Sequence, residues 1–162
     1  MNKVYIALDH IRSLYNVGSI MRTADFLGYT DIVLIGYSGV DFDMKGNKAL
    51  HPKLEKTALG AEKRINSIFV ENAEELLFFA KENNLKIVSI EQSEDSVLLE
   101  DWNLSEEDTL VVFGHETKGV SDEILNISDE IIEIERIGKK HSLNVATTAG
   151  IVLYDIKKKG NR

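Results

Sequence analysis

The segment from residue 16 to residue 24, N-V-G-S-I-M-R-T-A, holds the first residues whose types and spacing could do chemistry. Asn is a preferred N-cap residue, so the apolar spacing that follows it predicts a helix beginning near Asn16. Gly18 and Arg22 are four residues apart, and the Arg22 side chain should lean back over the turn that contains Gly18. Free N–H groups, a bare backbone and a guanidinium together suit an anion such as a phosphate. The spacing equally fits a packing glycine at Gly18 and a surface ion pair at Arg22.

The segment Gly114–Gly119, G-H-E-T-K-G, follows the apolar run Leu110–Phe113 and precedes a predicted helix. Loops at the carboxyl ends of parallel strands bind ligands in α/β proteins, and glycines let a backbone approach a ligand closely. Glu116 would repel a phosphate, so this loop better suits a neutral or cationic ligand, or a set of hydroxyl groups. The alternative is a tight strand-to-helix turn with an exposed Glu116.

The segment His141–Ala146, H-S-L-N-V-A, opens the last predicted helix, which covers about residues 143 to 158. Ala146, Ala149 and Gly150 keep one side of this helix small. A glycine inside a helix costs roughly 1 kcal/mol relative to Ala, so Gly150 predicts the close approach of another backbone. A capped, closely packed helix without any ligand explains the segment equally well.

Composition excludes several kinds of chemistry. The chain has no Cys, which removes disulfides, thiolate metal sites and cysteine nucleophiles. The motif that starts at His115 lacks the second His of HExxH, and His10, His51 and His141 show no metal-ligand spacing. We therefore expect no metal site.

Short apolar runs alternate with helical patterns along the chain. This alternation predicts βαβ units, and hence an α/β fold with a parallel sheet and helices on both faces. We expect one domain over residues 1–162. The predicted strands are Val4–Leu8, Ile32–Ile35, Ser67–Val70, Ile87–Ile90, Leu110–Phe113 and Ile131–Ile134, and the predicted helices cover about 16–28, 72–83, 121–127 and 143–158. Asn72 is the expected N-cap of the second helix, and Tyr37–Leu50 and Gln92–Asp108 are expected to be irregular.

The net charge of −8 argues against a nucleic-acid partner, but this value averages over segments of very different charge. Residues 1–64 carry nine Lys or Arg and seven Asp or Glu. Residues 65–135 carry three basic and nineteen acidic residues, and residues 136–162 carry seven basic residues and one acidic residue. Electrostatic fields act over a Debye length of about 8 to 10 Å, so two basic ends folded together would form a basic face on an acidic protein. The charge therefore does not exclude RNA.

The chain shows no sign of a membrane segment. The N-terminal apolar run is only five residues long, and nothing elsewhere approaches the roughly 18 apolar residues of a span. We expect a soluble, cytoplasmic protein without membrane contact.

Taken in order, the N-x-G-x-x-x-R, G-x-E-x-x-G and S-L-N-V motifs resemble the three motifs of the SpoU, or TrmH, family of RNA ribose methyltransferases. The resemblance covers residues 4 to 156. It implies a SPOUT-type α/β fold with a C-terminal trefoil knot, a homodimer, and S-adenosylmethionine as the methyl donor. The implied activity is methyl transfer to a ribose 2′-hydroxyl of RNA.

The resemblance also implies roles for particular residues. Arg22 matches the family's catalytic arginine, and because a free guanidinium has a pKa above about 12 it would grip the neighbouring phosphate and orient the hydroxyl rather than act alone as a base. Main-chain groups around Gly114, Ile134 and Leu143 would hold the cofactor. Other residues at family positions would shape the pockets for the ribose and the cofactor. The expected catalytic residues, besides Arg22, are Asn16, Glu116, Ser142 and Asn144. The expected cofactor-binding residues also include Ile90, Glu116 and Gly119.

Two positions depart from the family pattern. Family members often have Pro in the strand before the third motif, whereas residues 131–136 contain none, and His115 stands where Asn is frequent. Both differences bear on the shape of the cofactor loop. Neither removes a side chain that the reaction requires.

The first motif begins at residue 16, so we expect no appended RNA-binding domain and expect the catalytic domain itself to hold the RNA. Basic residues would contact phosphates, which positions RNA without reading its sequence and makes binding weaken steeply with salt. The candidates are Arg12, Lys45, Lys48, Lys53, Lys56, Lys63, Arg64, Lys139 and Lys140. Compact family members commonly act on tRNA, so tRNA is the first expected substrate and rRNA the second.

Two other functions remain open from the sequence. One is a non-catalytic RNA-binding protein that has the same fold, against which the intact motif residues argue. The other is a small-molecule-binding α/β domain, for which the acidic net charge argues.

Overall fold

A computed structural model describes residues 2–104 and 106–160 of the chain. Seven strands form one sheet in the order β5-β2-β1-β8-β6-β9-β7, and every described pairing in it is parallel. The strands are β1 (Val4–Asp9), β2 (Asp31–Ile35), β5 (Asn66–Val70), β6 (Lys86–Ile90), β7 (Val97–Leu98), β8 (Thr109–Phe113) and β9 (Glu130–Glu133), and a separate antiparallel hairpin contains β3 (Val40–Phe42) and β4 (Lys48–Leu50). The predicted parallel α/β class is confirmed.

The central strands are buried along their whole length. All residues of β1, β2 and β8 are buried, which is the pattern of a parallel sheet covered on both faces. Alternate residues enter opposite cores: Ile6 and Leu8 pack in one apolar cluster, and Tyr5 and Ala7 in the other.

The helices fill two layers. They are α1 (Leu14–Leu27), α2 (Glu55–Ala58), α3 (Ala61–Arg64), α4 (Ala73–Glu82), α5 (Asp122–Leu125) and α6 (Val145–Lys159). Buried residues of α1, α2, α3 and α6 share one cluster, and those of α4 and α5 share the other. Since α1 and α6 lie on the same face, the first and third motifs are neighbours.

The first helix begins earlier than predicted. Ser13, not Asn16, is the N-cap of α1, and its side chain accepts a hydrogen bond from Asn16 N. The prediction was wrong because Asn16 uses its side chain for tertiary contacts instead of the cap. Asn72 caps α4 as predicted, with its side chain accepting from Glu75 N at 3.0 Å.

The last helix begins at Val145, two residues later than predicted, because Asn144 is its N-cap. Within the described residues no atom lies within 4 Å of a Cβ built on Gly150, so the expected close approach of another backbone is not made inside the chain. Gly150 leaves one side of α6 open.

Two regions carry structure that the sequence reasoning missed. The expected irregular segment Tyr37–Leu50 contains the β3–β4 hairpin, and Gln92–Asp108, of which Ser105 lies outside the described residues, contains the two-residue β7. Between the hairpin and β5 the chain forms a 3-10 turn over Pro52–Leu54 and two four-residue helices. These pieces are too short to show a periodic apolar pattern.

The parallel arrangement brings the carboxyl ends of the sheet strands to one edge. The loops after β1, β6, β8 and β9 therefore open on the same side, and they contain the second motif and the approaches to the first and third. No helix in the described ranges is long and apolar enough to cross a membrane.

Candidate functional site

The carboxylate of Glu116 is the centre of a hydrogen-bond network at this edge. Its Oε2 accepts from Arg12 N at 3.1 Å, and its Oε1 accepts from Ser13 N at 2.9 Å and from Asn16 Nδ2 at 2.9 Å. The loop of the second motif is thus fixed to the chain that enters α1.

Asn16 joins the first motif to the third. Its Oδ1 accepts from Asn144 Nδ2 at 3.1 Å. Asn144 in turn caps α6, because its Oδ1 accepts from Ala146 N at 2.9 Å and Thr147 N at 3.3 Å. One continuous set of hydrogen bonds therefore connects Glu116, Asn16 and Asn144. In the sequence, Asn16 lies 100 residues from Glu116 and 128 residues from Asn144.

The network also sets the charge of Glu116. Burial is the largest single influence and raises its pKa, but hydrogen bonds from the Asn16 side chain and from the N–H groups of Ser13, Glu116 and Arg12 together hold the pKa below its ordinary value. Glu116 is therefore an anion at neutral pH, and it occupies the approach to α1.

The interpretation of this helix start as a phosphate site is wrong for Gly18. Gly18 is buried, and a Cβ built on it would lie 1.9 Å from Thr57 Oγ1 and 3.0 Å from Ala58 N. The glycine packs against α2, which is the other reading that its spacing allowed.

The Arg22 side chain is exposed at the surface of α1. It lines an open groove of about 510 Å³ together with Tyr15, Phe26 and Lys56. No hydrogen bond or ion pair joins Arg22 to a residue in the described ranges, so its guanidinium is available to a ligand. Of the predicted catalytic set, Asn16, Glu116 and Asn144 thus form one hydrogen-bonded cluster, and Arg22 makes no described hydrogen bond to it.

The glycines of the second motif close its loop on itself. His115 and Gly119 exchange two main-chain hydrogen bonds of 2.9 Å, and a Cβ on Gly114 would lie 2.1 Å from Val120 N. Gly119 has a φ of +73°, and its missing side chain leaves room for the Glu91 carboxylate, which accepts from Val120 N at 2.9 Å. Both glycines are needed for this closure.

The residues predicted to hold a cofactor surround the ends of β6, β8 and β9. Ile90 is buried, Ile134 is half-buried, and Leu143 is half exposed. No main-chain hydrogen bond joins residues 135–143 to another described residue, which leaves a run of free donors and acceptors beside apolar side chains. This donor set fits S-adenosylmethionine, whose adenine and ribose need main-chain partners and an apolar contact.

Ser142 lies in this run, two residues before the cap of α6. Its side chain is exposed and has no described hydrogen bond, unlike that of Asn144. Its hydroxyl is therefore free to contact a ligand, but the structure does not bring it into the Glu116 network.

Sequence reasoning missed two carboxylates at the same edge, the buried Asp9 and the half-buried Glu91. Asp9, at the end of β1, accepts from Ser121 N at 2.8 Å, so it holds the far end of the second-motif loop. Glu91, directly after β6, accepts a hydrogen bond from Val120 N and so also holds the end of this loop. Their position just after apolar strands was a usable signal, since polar groups at the carboxyl ends of parallel strands commonly serve sites.

The candidate RNA-contacting cations fall into two groups. Lys48 pairs with Glu71, Lys63 with Glu55 at 3.7 Å, and Arg64 with Asp25 at 2.6 Å. The others make no ion pair with a described residue, and they are Arg12, Lys45, Lys53, Lys56, Lys139 and Lys140. Among the described residues no group of three His, Asp or Glu could hold a metal ion.

Comparison with known proteins gives one consistent result. The sequence profile of the SpoU rRNA Methylase family matches residues 3–154. A tRNA (guanosine(18)-2′-O)-methyltransferase of Aquifex aeolicus is 31% identical over 151 residues, with 93% of this chain and 66% of that protein covered. The enzyme of the same name from Thermus thermophilus is 25% identical, with 94% and 73% covered.

Solved structures agree in fold. The crystal structure of the Aquifex aeolicus TrmH/SpoU tRNA modifying enzyme aligns with a TM-score of 0.81 at 27% identity, over 99% of this chain and 77% of that one. The methyltransferase AviRb from Streptomyces viridochromogenes, solved with AdoMet, aligns with a TM-score of 0.84 at 23% identity, over 99% and 58%. The chain spans 66% of the Aquifex relative and 59% of a Bacillus subtilis relative.

Proposed function

The chain belongs to the SpoU rRNA Methylase family, and from this we propose that it transfers a methyl group from S-adenosylmethionine to a ribose 2′-hydroxyl of RNA. The observation that carries the proposal is the hydrogen-bond network that joins Glu116, Asn16 and Asn144, one residue from each motif. A single domain would bind both the methyl donor and the RNA. Its place of action would be the cytoplasm, where tRNA and rRNA are modified.

The proposed RNA is tRNA, with rRNA second. Relatives from Aquifex aeolicus and Thermus thermophilus are named as tRNA guanosine methyltransferases, which supports tRNA. Lys139 and Lys140, which form no ion pair with a described residue, lie between β9 and α6, where they would attract RNA phosphates to the cofactor loop.

The cofactor supplies an electrophilic methyl group on a sulfonium. Main-chain groups around Gly114, Gly119, Ile134 and Leu143 would hold it, with Ile90 and Leu143 providing apolar contact. The free main-chain groups of residues 135–143 support this placement. Glu116 is a neighbouring anion that favours a cationic ligand electrostatically.

Arg22 would hold the phosphate next to the target ribose and orient the 2′-hydroxyl. Acceptance of the hydroxyl proton would be shared with that phosphate, which Arg22 keeps next to the hydroxyl. A guanidinium positions two oxygens at once, which suits this task. Its freedom from ion pairs with described residues and its place beside Lys56 support the role.

Asn16, Glu116 and Asn144 are best assigned to positioning. Their side-chain groups are engaged with one another, so they fix the relative place of the three motif segments. Ser142, with its exposed hydroxyl, would contact the ribose or the cofactor directly.

A homodimer would complete the site. The groove that Arg22 lines does not include Glu116, Asn16 or Asn144, which supports a site completed by a second copy. The exposed apolar residues Tyr15, Phe26, Ile151 and Tyr154 lie on α1 and α6, and Gly150 leaves α6 open to a second backbone. These features support a partner copy that packs on α1 and α6.

A trefoil knot in the C-terminal part is also part of the proposal. β9 lies between β6 and β7, although the chain passes directly from β6 to β7 before it reaches β9. The last segment would then thread under the connection over residues 91–96 before it forms α6. This strand order supports the knot that the family resemblance implies.

The test is incubation of the purified protein with methyl-labelled S-adenosylmethionine and, separately, tRNA and rRNA from a host that lacks the gene, followed by digestion to nucleosides. Label in a 2′-O-methylnucleoside supports the proposal and identifies the RNA class. Cofactor binding without label in either RNA pool would instead support a binding protein that has the same fold.

Arg22→Lys gives the matched test of the arginine's role. Lysine keeps the charge but loses the paired N–H groups that orient two oxygens, so we expect turnover to fall by a factor of about 100 or more with cofactor affinity unchanged. Turnover near that of the wild type would contradict a bidentate role.

A further inference from the structure

Asp9 and His10 form a fixed pair at the end of β1. Asp9 is 1% exposed, and its Oδ1 lies 2.7 Å from His10 Nδ1 while its Oδ2 accepts from Ser121 N. Both carboxylate oxygens thus act as acceptors, which places the imidazole proton on Nδ1. The other ring nitrogen, Nε2, has no hydrogen-bond partner among the described residues, and the side chain is 39% exposed.

The backbone is strained to place this ring. His10 has a φ of +50°, a conformation that few residues other than Gly adopt. The ring lies against Gly36, where an added Cβ would be 2.2 Å from Nε2, so a side chain there would displace it. Strain of this kind persists where surrounding structure imposes it and is concentrated at functional sites.

Tyr37 supplies an exposed aromatic face beside the imidazole. The two rings meet edge to face, with their centroids 5.0 Å apart and an interplanar angle of 73°. Tyr37 is 52% exposed, so much of its ring remains open to solvent. An open π-face and an oriented ring nitrogen therefore lie side by side.

We propose that His10 and Tyr37 form a subsite for one unpaired nucleobase of the RNA, with the base stacked on Tyr37 and hydrogen-bonded to His10 Nε2. This inference rests on the proposed function. Stacking on aromatic rings together with polar contacts to base edges is how proteins read single-stranded RNA. A phosphate is disfavoured here because the buried Asp9 carboxylate lies directly behind the imidazole.

The subsite adjoins the candidate site through the backbone. Arg12, two residues after His10, donates its N–H to Glu116, and Asp9 holds Ser121 at the end of the second-motif loop. A base bound at His10 and Tyr37 would thus belong to a nucleotide close to the one at the reaction centre. Bases within a duplex are stacked and inaccessible to such a subsite.

The test compares binding of a fluorescent, unstructured RNA oligonucleotide and a blunt RNA duplex by fluorescence anisotropy. We expect Tyr37→Ala to weaken binding of the oligonucleotide by about tenfold, within the range for loss of one stacked base, and to leave duplex binding unchanged. Tyr37→Phe should bind like the wild type. His10→Asn, which tolerates the left-handed backbone, should weaken binding less than Tyr37→Ala. Phe78→Ala, at another exposed aromatic residue, on α4, is the matched control.

The salt dependence separates stacking from charge. Tyr37→Ala should lower affinity equally at every salt concentration, whereas Lys139→Gln should reduce the slope of log affinity against log salt by about 0.7 for a single-stranded RNA. Thermal unfolding and S-adenosylmethionine affinity should be unchanged in Tyr37→Ala, which a merely structural role would not predict.

Equal oligonucleotide affinity in the wild type and Tyr37→Ala, or no oligonucleotide binding by the wild type, would overturn the subsite. Failure of the proposed function is seen separately, as absence of label transfer from S-adenosylmethionine to any RNA. If the Tyr37→Ala variant binds RNA as the wild type does and still transfers the methyl group, the subsite is rejected while the proposed function stands.

Discussion

Glu116 shows how one side chain decides what a helix start can bind. The N–H groups before and within the first turn of a helix attract anions. Here two of the N–H groups that lead into α1 donate to the Glu116 carboxylate, which lies more than 100 residues away in the sequence. The protein's own anion thus takes the place that a phosphate could occupy at this helix start, and in the proposed mechanism Arg22 makes the phosphate contact instead.

At the residue scale we expect Glu116→Gln to lower the free energy of unfolding by about 2 kcal/mol at pH 7, because charge-assisted hydrogen bonds to three partners are lost. The pKa of Glu116 is lower in the folded state than its ordinary value. The stabilisation is therefore complete above the unfolded pKa, about 4.3 to 4.5, and is lost as the pH falls through the folded pKa.

Urea unfolding from pH 7 to pH 3 checks this expectation. The difference between the wild type and Glu116→Gln should shrink as the solution becomes more acidic. Glu94→Gln, at an exposed position with no described hydrogen bond, should track the wild type throughout. A difference between the wild type and Glu116→Gln that is constant over this range would show that the carboxylate charge contributes nothing.

At the scale of elements, α1 is held by contacts on three sides. Its buried side packs on the sheet and α6, Gly18 lies against α2, and Asp25 pairs with Arg64 of α3. The short helices that sequence reasoning missed therefore fix the helix that carries Arg22. The position of the candidate phosphate contact depends on elements that have no periodic signal of their own.

Gly18→Ala tests this packing. Alanine gains roughly 1 kcal/mol of helix propensity, but its Cβ would overlap Thr57 and approach the Ala58 backbone, and overpacking of this kind costs about 1–3 kcal/mol or more. We expect a net loss of stability by thermal unfolding. Adding Thr57→Ala, which removes the Oγ1 atom at 1.9 Å, should recover part of it. A Gly18→Ala protein more stable than the wild type would contradict the packing.

At the scale of the whole molecule, the proposed site is composed of residues from two copies of the chain. The groove that Arg22 lines does not include Glu116, Asn16 or Asn144, and exposed apolar residues lie on α1 and α6. Packing of two copies through these helices would bury the apolar residues and bring motif residues of both copies together.

Tyr154→Glu is the corresponding variant, because a charge at the centre of an apolar interface is costly to bury. We expect sedimentation velocity to show a shift from dimer to monomer, accompanied by a loss of methyl transfer. Phe78→Glu, which alters an exposed aromatic on α4 at the opposite face, should leave both unchanged. A fully active Tyr154→Glu monomer would refute the composite site.

The class of fold and the segments that carry the site could be predicted from the sequence. Apolar, β-branched runs and helical periods placed every long strand and helix within two residues or so of its observed bounds, and the ordered motifs indicated the family. These features are local, since propensity, periodicity and motif spacing are properties of neighbouring residues.

Which motif residues meet is a property of the tertiary structure. Local sequence cannot show that the Asn16 side-chain amide hydrogen-bonds to Glu116 and Asn144 instead of capping α1. Nor can it show that Gly18 packs against α2. It also cannot show that Asp9 and His10 lie beside Tyr37. Such contacts join residues far apart along the chain, and they depend on strand order and on short helices whose stability comes from packing rather than from their own residues.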